Sequence, residues 1–189
     1  VNARSFFMHT LWHEMSHGLG PGKLVVDGDE TEVRLVLKDT YSTIEEAKAD
    51  VMGMWDILKL AAAGRDYFTA DIARQQPATF LAGLFRSVRF GIGEAHGQAN
   101  AIQFNYLLEK GAIAWHEDAE RFSIDTGVFV PVIGEMVGEI CMLQALGDYE
   151  GTAAFIEKYA VMPEVLSRAL DKLAGIPVDV EPIFPRWDD

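Results

Sequence analysis

The sequence reads as a mainly α-helical chain with minor β hairpins, on three observations. Seven stretches carry apolar residues at the helical period, about 3–18, 43–63, 69–89, 94–110, 128–146, 148–159 and 163–174. Glycine and proline clusters separate them, most strongly at Gly18-Leu19-Gly20-Pro21-Gly22. Only two short regions alternate in the manner of strands. The 189 residues, 49% of them hydrophobic, suffice for one sizeable core. There is no internal repeat, low-complexity segment or interdomain linker, so one domain over 1–189 is expected.

The first helix carries Phe6, Phe7, Leu11, Trp12, Met15 and Leu19 around much of its circumference, which predicts a place inside the protein. It also carries His13-Glu14-Met15-Ser16-His17, the pattern H-E-x-x-H. Histidines four apart stand one above the other on a helix, so both imidazoles can reach one metal ion. Glu14 projects beside them, where a carboxylate can take a proton from an activated water. Imidazole and carboxylate donors with an open position suit catalytic zinc. The bland alternative is a surface helix with two spare histidines. His9, one turn earlier on the same side, reads as packing or surface, with a group behind a metal ligand or against substrate as the alternative.

Leu24-Val25-Val26 and Glu32 to Leu37, around Asp27-Gly28-Asp29, predict a hairpin, or else a long excursion between two helices. The next helix places Ile44, Ala47, Val51, Trp55, Leu58 and Ala62 on its apolar face. Ser42 and Glu45 have capping-box spacing, which would start the helix there and occupy Glu45. Glu46 and Asp50, at i and i+4, would then share a face as third metal ligand and as acceptor of a ligand histidine's far N–H. The plain alternative is a solvated acidic first turn.

The helix over 94–110 is apolar on two sides, with His96, Asn100 and Gln103 as one polar line. Such a line faces a cleft or a polar core network. Taken alone, His96 reads as a satisfied core histidine. Ala112 to Trp115 and Phe122 to Asp125 predict a second hairpin, with His116 in a polar turn between them. Cys141 reads as a core residue of an apolar helix, and a single cysteine excludes an internal disulfide. The end, from Ile176 to Asp189, is Pro-rich and is expected to be extended.

His13-Glu14-Met15-Ser16-His17 followed by Glu45-Glu46-Ala47-Lys48-Ala49-Asp50 resembles the dipeptidyl-peptidase III family of zinc metallopeptidases. Ala95-His96-Gly97-Gln98-Ala99 with Leu107-Leu108-Glu109-Lys110-Gly111 resembles a further family segment, as does Tyr159 to Pro163 with Ile176 to Pro182. The resemblance implies a helical zincin-type catalytic domain, zinc held by His13, His17 and Glu46, and a role for His96 in stabilising the reacting carbonyl. It also implies a peptide substrate cut near its N-terminus, with release of a dipeptide. Many family members have H-E-x-x-G-H where this chain has the five-residue form, and animal-type relatives have Arg where this chain has Asn100. Similarity is to the bacterial and plant-like branch.

Net charge is −13, from 29 acidic and 16 basic residues, which argues against nucleic acid and anionic membrane surfaces as partners. No run is judged long and apolar enough to span a bilayer. No signal peptide is visible, and a cytoplasmic protein is expected. With Val1 almost inside the metal helix, the chain is expected to be the C-terminal piece of a longer two-lobed protein, whose N-terminal lobe would supply much of the substrate cleft. Such a piece would bind zinc but turn over dipeptidyl substrates slowly.

The mechanism expected from these residues has Glu14 as general base, His96 as oxyanion donor and Asp50 orienting one imidazole. Two other readings compete: a zincin-fold module that binds peptides or partners without turnover, and a zinc hydrolase of a non-peptide amide.

Overall fold

A computed structural model describes residues 1–177. The expected extended end therefore falls almost wholly outside the described residues. The elements in chain order are α1 (Ala3–His17), β1 (Lys23–Val26), β2 (Asp29–Glu32), α2 (Val33–Leu37), α3 (Tyr41–Ala62), α4 (Ala70–Val88), α5 (Ala95–Glu109), β3 (Ile113–His116), β4 (Arg121–Ile124), α6 (Thr126–Leu146), α7 (Tyr149–Tyr159) and α8 (Glu164–Asp171). The fold is mainly α with two antiparallel hairpins, as the periodicity predicts.

Polar side chains start the helices where the sequence places them. Asn2 accepts the Ser5 N–H at the head of α1, Thr69 accepts that of Ile72 at α4, and Asp125 and Asp148 cap α6 and α7. Gly147, at φ 61°, ends α6 in the left-handed conformation.

At α3 the expectation fails. The helix continues from a 3-10 turn at Lys38–Thr40, begins at Tyr41 and has no side-chain cap bond. Ser42 and Glu45 form no capping box, and Glu45 is buried within the second turn.

The first hairpin is shorter than predicted. Lys23 pairs with Glu32 and Val26 with Asp29, across Asp27 and Gly28, both at positive φ. Val33 to Leu37 is a helical turn instead of a strand. Val33 and Leu37 are buried four residues apart on one face, while Leu35 points out. The second hairpin pairs Ile113–His116 with Arg121–Ile124 and sets Trp115 against Phe122. His116 closes β3, with Nε2 2.7 Å from Ser123 Oγ.

One apolar cluster runs from Val33 to Leu166 and centres on α3, α5 and α6. It includes Ile44, Val51, Met54, Phe104, Phe129 and Ile133. By length and composition α6 could cross a membrane, against the sequence expectation. It nevertheless buries Phe129, Met136 and Ile140 in this core and carries Glu135, Glu139 and Gln144. Cys141 on this helix is half-buried, and burial pushes its thiol pKa up.

The first helix corrects a further expectation. Its only buried residues are Ser5 and Ser16, while Phe7, Leu11 and Met15 are 63%, 42% and 50% exposed. The cause lies in how α1 packs on α3. A Cβ on Gly53 of α3 would stand 2.9 Å from the Trp12 carbonyl carbon and the His13 nitrogen. The helices cross backbone to backbone, and the face α1 presents there is the one bearing Ser16 and the histidines. The large apolar side chains are turned away.

Replacing Gly53 with Ala should force the two helices apart and destabilise the protein by about 1–3 kcal/mol, as overpacking does. Gly138→Ala, where a Cβ meets nothing within 4 Å, is expected to be neutral or stabilising by a few tenths of a kcal/mol up to ~1 kcal/mol. Thermal unfolding of the two variants compares them, and equal melting temperatures would show that the crossing tolerates a methyl group.

Candidate metal centre

The close crossing brings the carboxylates of α3 under the histidines of α1. His13 Nδ1 lies 2.8 Å from Asp50 Oδ1, and His17 Nδ1 lies 3.0 Å from Glu45 Oε1. An ionised carboxylate only accepts, so each ring donates from Nδ1 and carries its lone pair on Nε2. The two Nε2 atoms are 3.1 Å apart. Two lone pairs at that distance repel unless a proton or a cation lies between them.

Glu46 faces the same point. Its Oε2 is 3.3 Å from His13 Nε2, 3.9 Å from His17 Nε2 and 3.2 Å from His96 Nε2. That oxygen is buried and has no hydrogen-bond partner among the described residues. Buried carboxylate oxygens are normally satisfied, so an orphan ringed by imidazoles is the signature of a site for a cation. Donor atoms of His13, Glu46 and His96 lie within 4.8 Å of one another, a spacing that one ion can bridge.

The protonation equilibria reflect this crowding. Burial works against charge on His13, yet the Asp50 and Glu46 carboxylates push its pKa up to about 10. The His13 imidazole beside it holds Glu46 below the usual carboxylate range, against the opposing effect of burial. For Asp50 burial opposes ionisation, and His13, His9 and Gln103 together still lower its pKa. In the absence of a cation, a proton on His13 partly takes its place.

His13, His17, Glu46 and Asp50 come together. Glu14 is exposed and lines, with His13, His96, Phe80, Arg86 and Asn100, a cavity of about 190 Å³. His96 sits at the start of α5 with its side chain 69% exposed, which removes the core-histidine reading. His9 is a packing residue whose Nε2 is 3.0 Å from the Asp50 carbonyl oxygen and whose ring edge meets Phe80. Sequence reasoning missed Glu45, assigned to a cap that does not form. It also missed Lys48, which is 1% exposed and donates to Glu45 Oε1 and to the Leu19 carbonyl oxygen. The one available signal was the spacing of Glu45 and Asp50, which straddle Glu46 on consecutive turns.

No family model matches the chain. It is 40% identical over 188 residues to a protein named Nudix hydrolase 3 from Arabidopsis thaliana, covering 98% of this chain and 24% of that protein. Among solved structures it is similar to DPP III from Caldithrix abyssi, at a TM-score of 0.93 and 45% identity over 97% of this chain and 35% of that one. It is also similar to dipeptidyl-peptidase III from Corallococcus sp. strain EGB, at a TM-score of 0.90 and 37% identity over 97% of this chain and 34% of that one. The chain thus spans about a third of the length of the solved structures it matches, and about a quarter of the plant relative.

If these donors hold a divalent cation, Glu46→Gln should weaken its retention most. Glu45→Gln and Asp50→Asn should each weaken it by about 10–100-fold, because each carboxylate orients one imidazole. Zinc content after dialysis against graded chelator ranks the variants. A Glu45→Gln protein that keeps zinc as tightly as the unmodified one would show that the His17–Glu45 bond is incidental.

Proposed function

The chain belongs to the dipeptidyl-peptidase III family, and on that premise we propose that it carries the centre of a zinc-dependent metallopeptidase acting near the N-terminus of peptides. The observation that carries this reading is the buried, unpartnered Glu46 Oε2 facing the Nε2 atoms of His13 and His17, with Glu14 one residue along the same helix. A zinc ion held by His13, His17 and Glu46 would polarise the scissile carbonyl and acidify a water.

The protein's own groups do the rest. His17 is chosen over His96 as the third-side ligand because Glu45 fixes its Nδ1 and so aims its Nε2 inward. No carboxylate orients the Nδ1 of His96 among the described residues, and its side chain, 69% exposed, lines the cavity. His96 donates a hydrogen bond to the developing oxyanion. Glu14 takes the proton of the attacking water and passes it to the leaving amine. Asp50 holds His13 in the tautomer that leaves Nε2 bare. Dipeptide release follows the family, and the activity is assigned to the intact protein because the chain spans 35% and 34% of the solved structures. The name of the plant relative denotes another hydrolase, but the matched stretch is 24% of that protein, so the name does not locate its activity in this stretch.

The test is hydrolysis of dipeptidyl arylamides by the intact protein. Glu14→Gln should keep zinc and lose nearly all turnover, and His96→Ala should keep zinc and lower kcat by about 10²–10³. Peptide binding without release of product would favour a binding module. Turnover that survives Glu14→Gln would remove the proton acceptor from this scheme.

A further inference from the structure

A ligand imidazole is only as well placed as the carboxylate that holds it, and that carboxylate has a second oxygen to satisfy. Asp50 Oδ1 is taken by His13, while its Oδ2 accepts from Asn100 Nδ2 at 2.9 Å and from Gln103 Nε2 at 2.7 Å. Glu45 Oε1 is shared by His17 and Lys48, while its Oε2 accepts from Gln144 Nε2 at 2.8 Å. The two histidines are thus held by matching chains: imidazole, carboxylate, glutamine amide.

Both glutamines are 0% exposed, and both leave their own carbonyl oxygen buried without a partner among the described residues. That arrangement is costly, because an orphaned buried acceptor loses its water and gains nothing. A leucine or methionine of similar size would fill either position without the penalty. Turning the amide over is no remedy, since its carbonyl oxygen would then face a carboxylate. What the glutamines provide is an N–H aimed at the free oxygen of Asp50 or Glu45. We infer that Gln103 and Gln144 are positioning residues of the metal centre, each fixing the carboxylate that fixes one ligand imidazole. Gln144 lies 99 residues from Glu45 in sequence and sits on α6, a helix that contributes no ligand of its own. Through it the orientation of His17 depends on how α6 packs against α3.

This inference rests on His13, His17 and Glu46 being the metal ligands, and the experiment separates the two. In the intact protein, the affinity for Co(II) and Zn(II) is measured by competition with a chelator, together with the visible absorption of the Co(II) form. Gln103→Met and Gln144→Met should bind each metal about 10-fold or more weakly, within the range for loss of an outer partner, and should show an altered Co(II) spectrum. Gln76→Met is the control. Gln76 is also fully buried with an orphaned carbonyl oxygen, but it donates to the Ser5 carbonyl and, among the described residues, to no carboxylate. It should lower the melting temperature and leave metal affinity and spectrum unchanged. Gln144→Asn, which draws the same amide back by one methylene, replaces Gln144→Met if that protein does not fold, and the same loss is expected. If the unmodified protein takes up neither metal, the ligand assignment falls and this inference with it. If it binds both metals, and the Gln103 and Gln144 variants match it in affinity and spectrum, the glutamines are packing residues and this inference alone is overturned.

Discussion

The structure depends on how closely α1 approaches α3. At Gly53 there is no side chain between the two backbones, and a Cβ there would stand only 2.9 Å from the His13 nitrogen. Only at that separation do imidazoles from one helix reach carboxylates from the other at about 3 Å. Three carboxylates then lie in the partly buried space between the helices, a costly arrangement unless each is answered by donors. The rest of the fold supplies donors to Asp50 and Glu45 and leaves Glu46 Oε2 unpartnered among the described residues. Helix α5 approaches from one side with Asn100 and Gln103, and α6 from another with Gln144. Lys48 completes the set from within α3, with its ammonium against Glu45 and the Leu19 carbonyl.

Much of this was legible in the sequence because it is periodic. Helix positions follow from apolar spacing, and histidines at i and i+4 announce a shared face. Glu46 and Asp50 read correctly as neighbours for the same reason. Glu45 did not, because a capping box is a local pattern, whereas the start of α3 is decided by the turn before it. The 3-10 segment Lys38–Thr40 runs straight into the helix and leaves no end for Ser42 to cap. Val33 to Leu37 was misread for a related reason: a five-residue apolar run fits strand or helix, and only the burial of Val33 and Leu37 together decides.

The orientation of α1 was illegible on different grounds. Hydrophobic residues around most of a helix say that it is well covered, not which side faces the core. Here chemistry overrides hydrophobicity: the side turned inward carries the histidines, and Phe7, Leu11 and Met15 face outward. Gln144 lay beyond local reasoning altogether, since nothing near it in the chain hints at a partner 99 residues away.

All three carboxylates of the centre stand on six consecutive residues, Glu45 to Asp50, in the N-terminal half of one unbroken helical segment. They move as teeth of a single comb. A slide or twist of α3 by about an ångström would misplace both histidine anchors and Glu46 at once, with no intermediate arrangement in which one ligand is lost and two remain. Holding or losing an ion at such a site becomes a property of the local opening of that helix, the kind of event that amide hydrogen exchange follows. A bound cation would then act as a clasp on the backbone of α3, slowing exchange along these turns far more than its few contacts suggest.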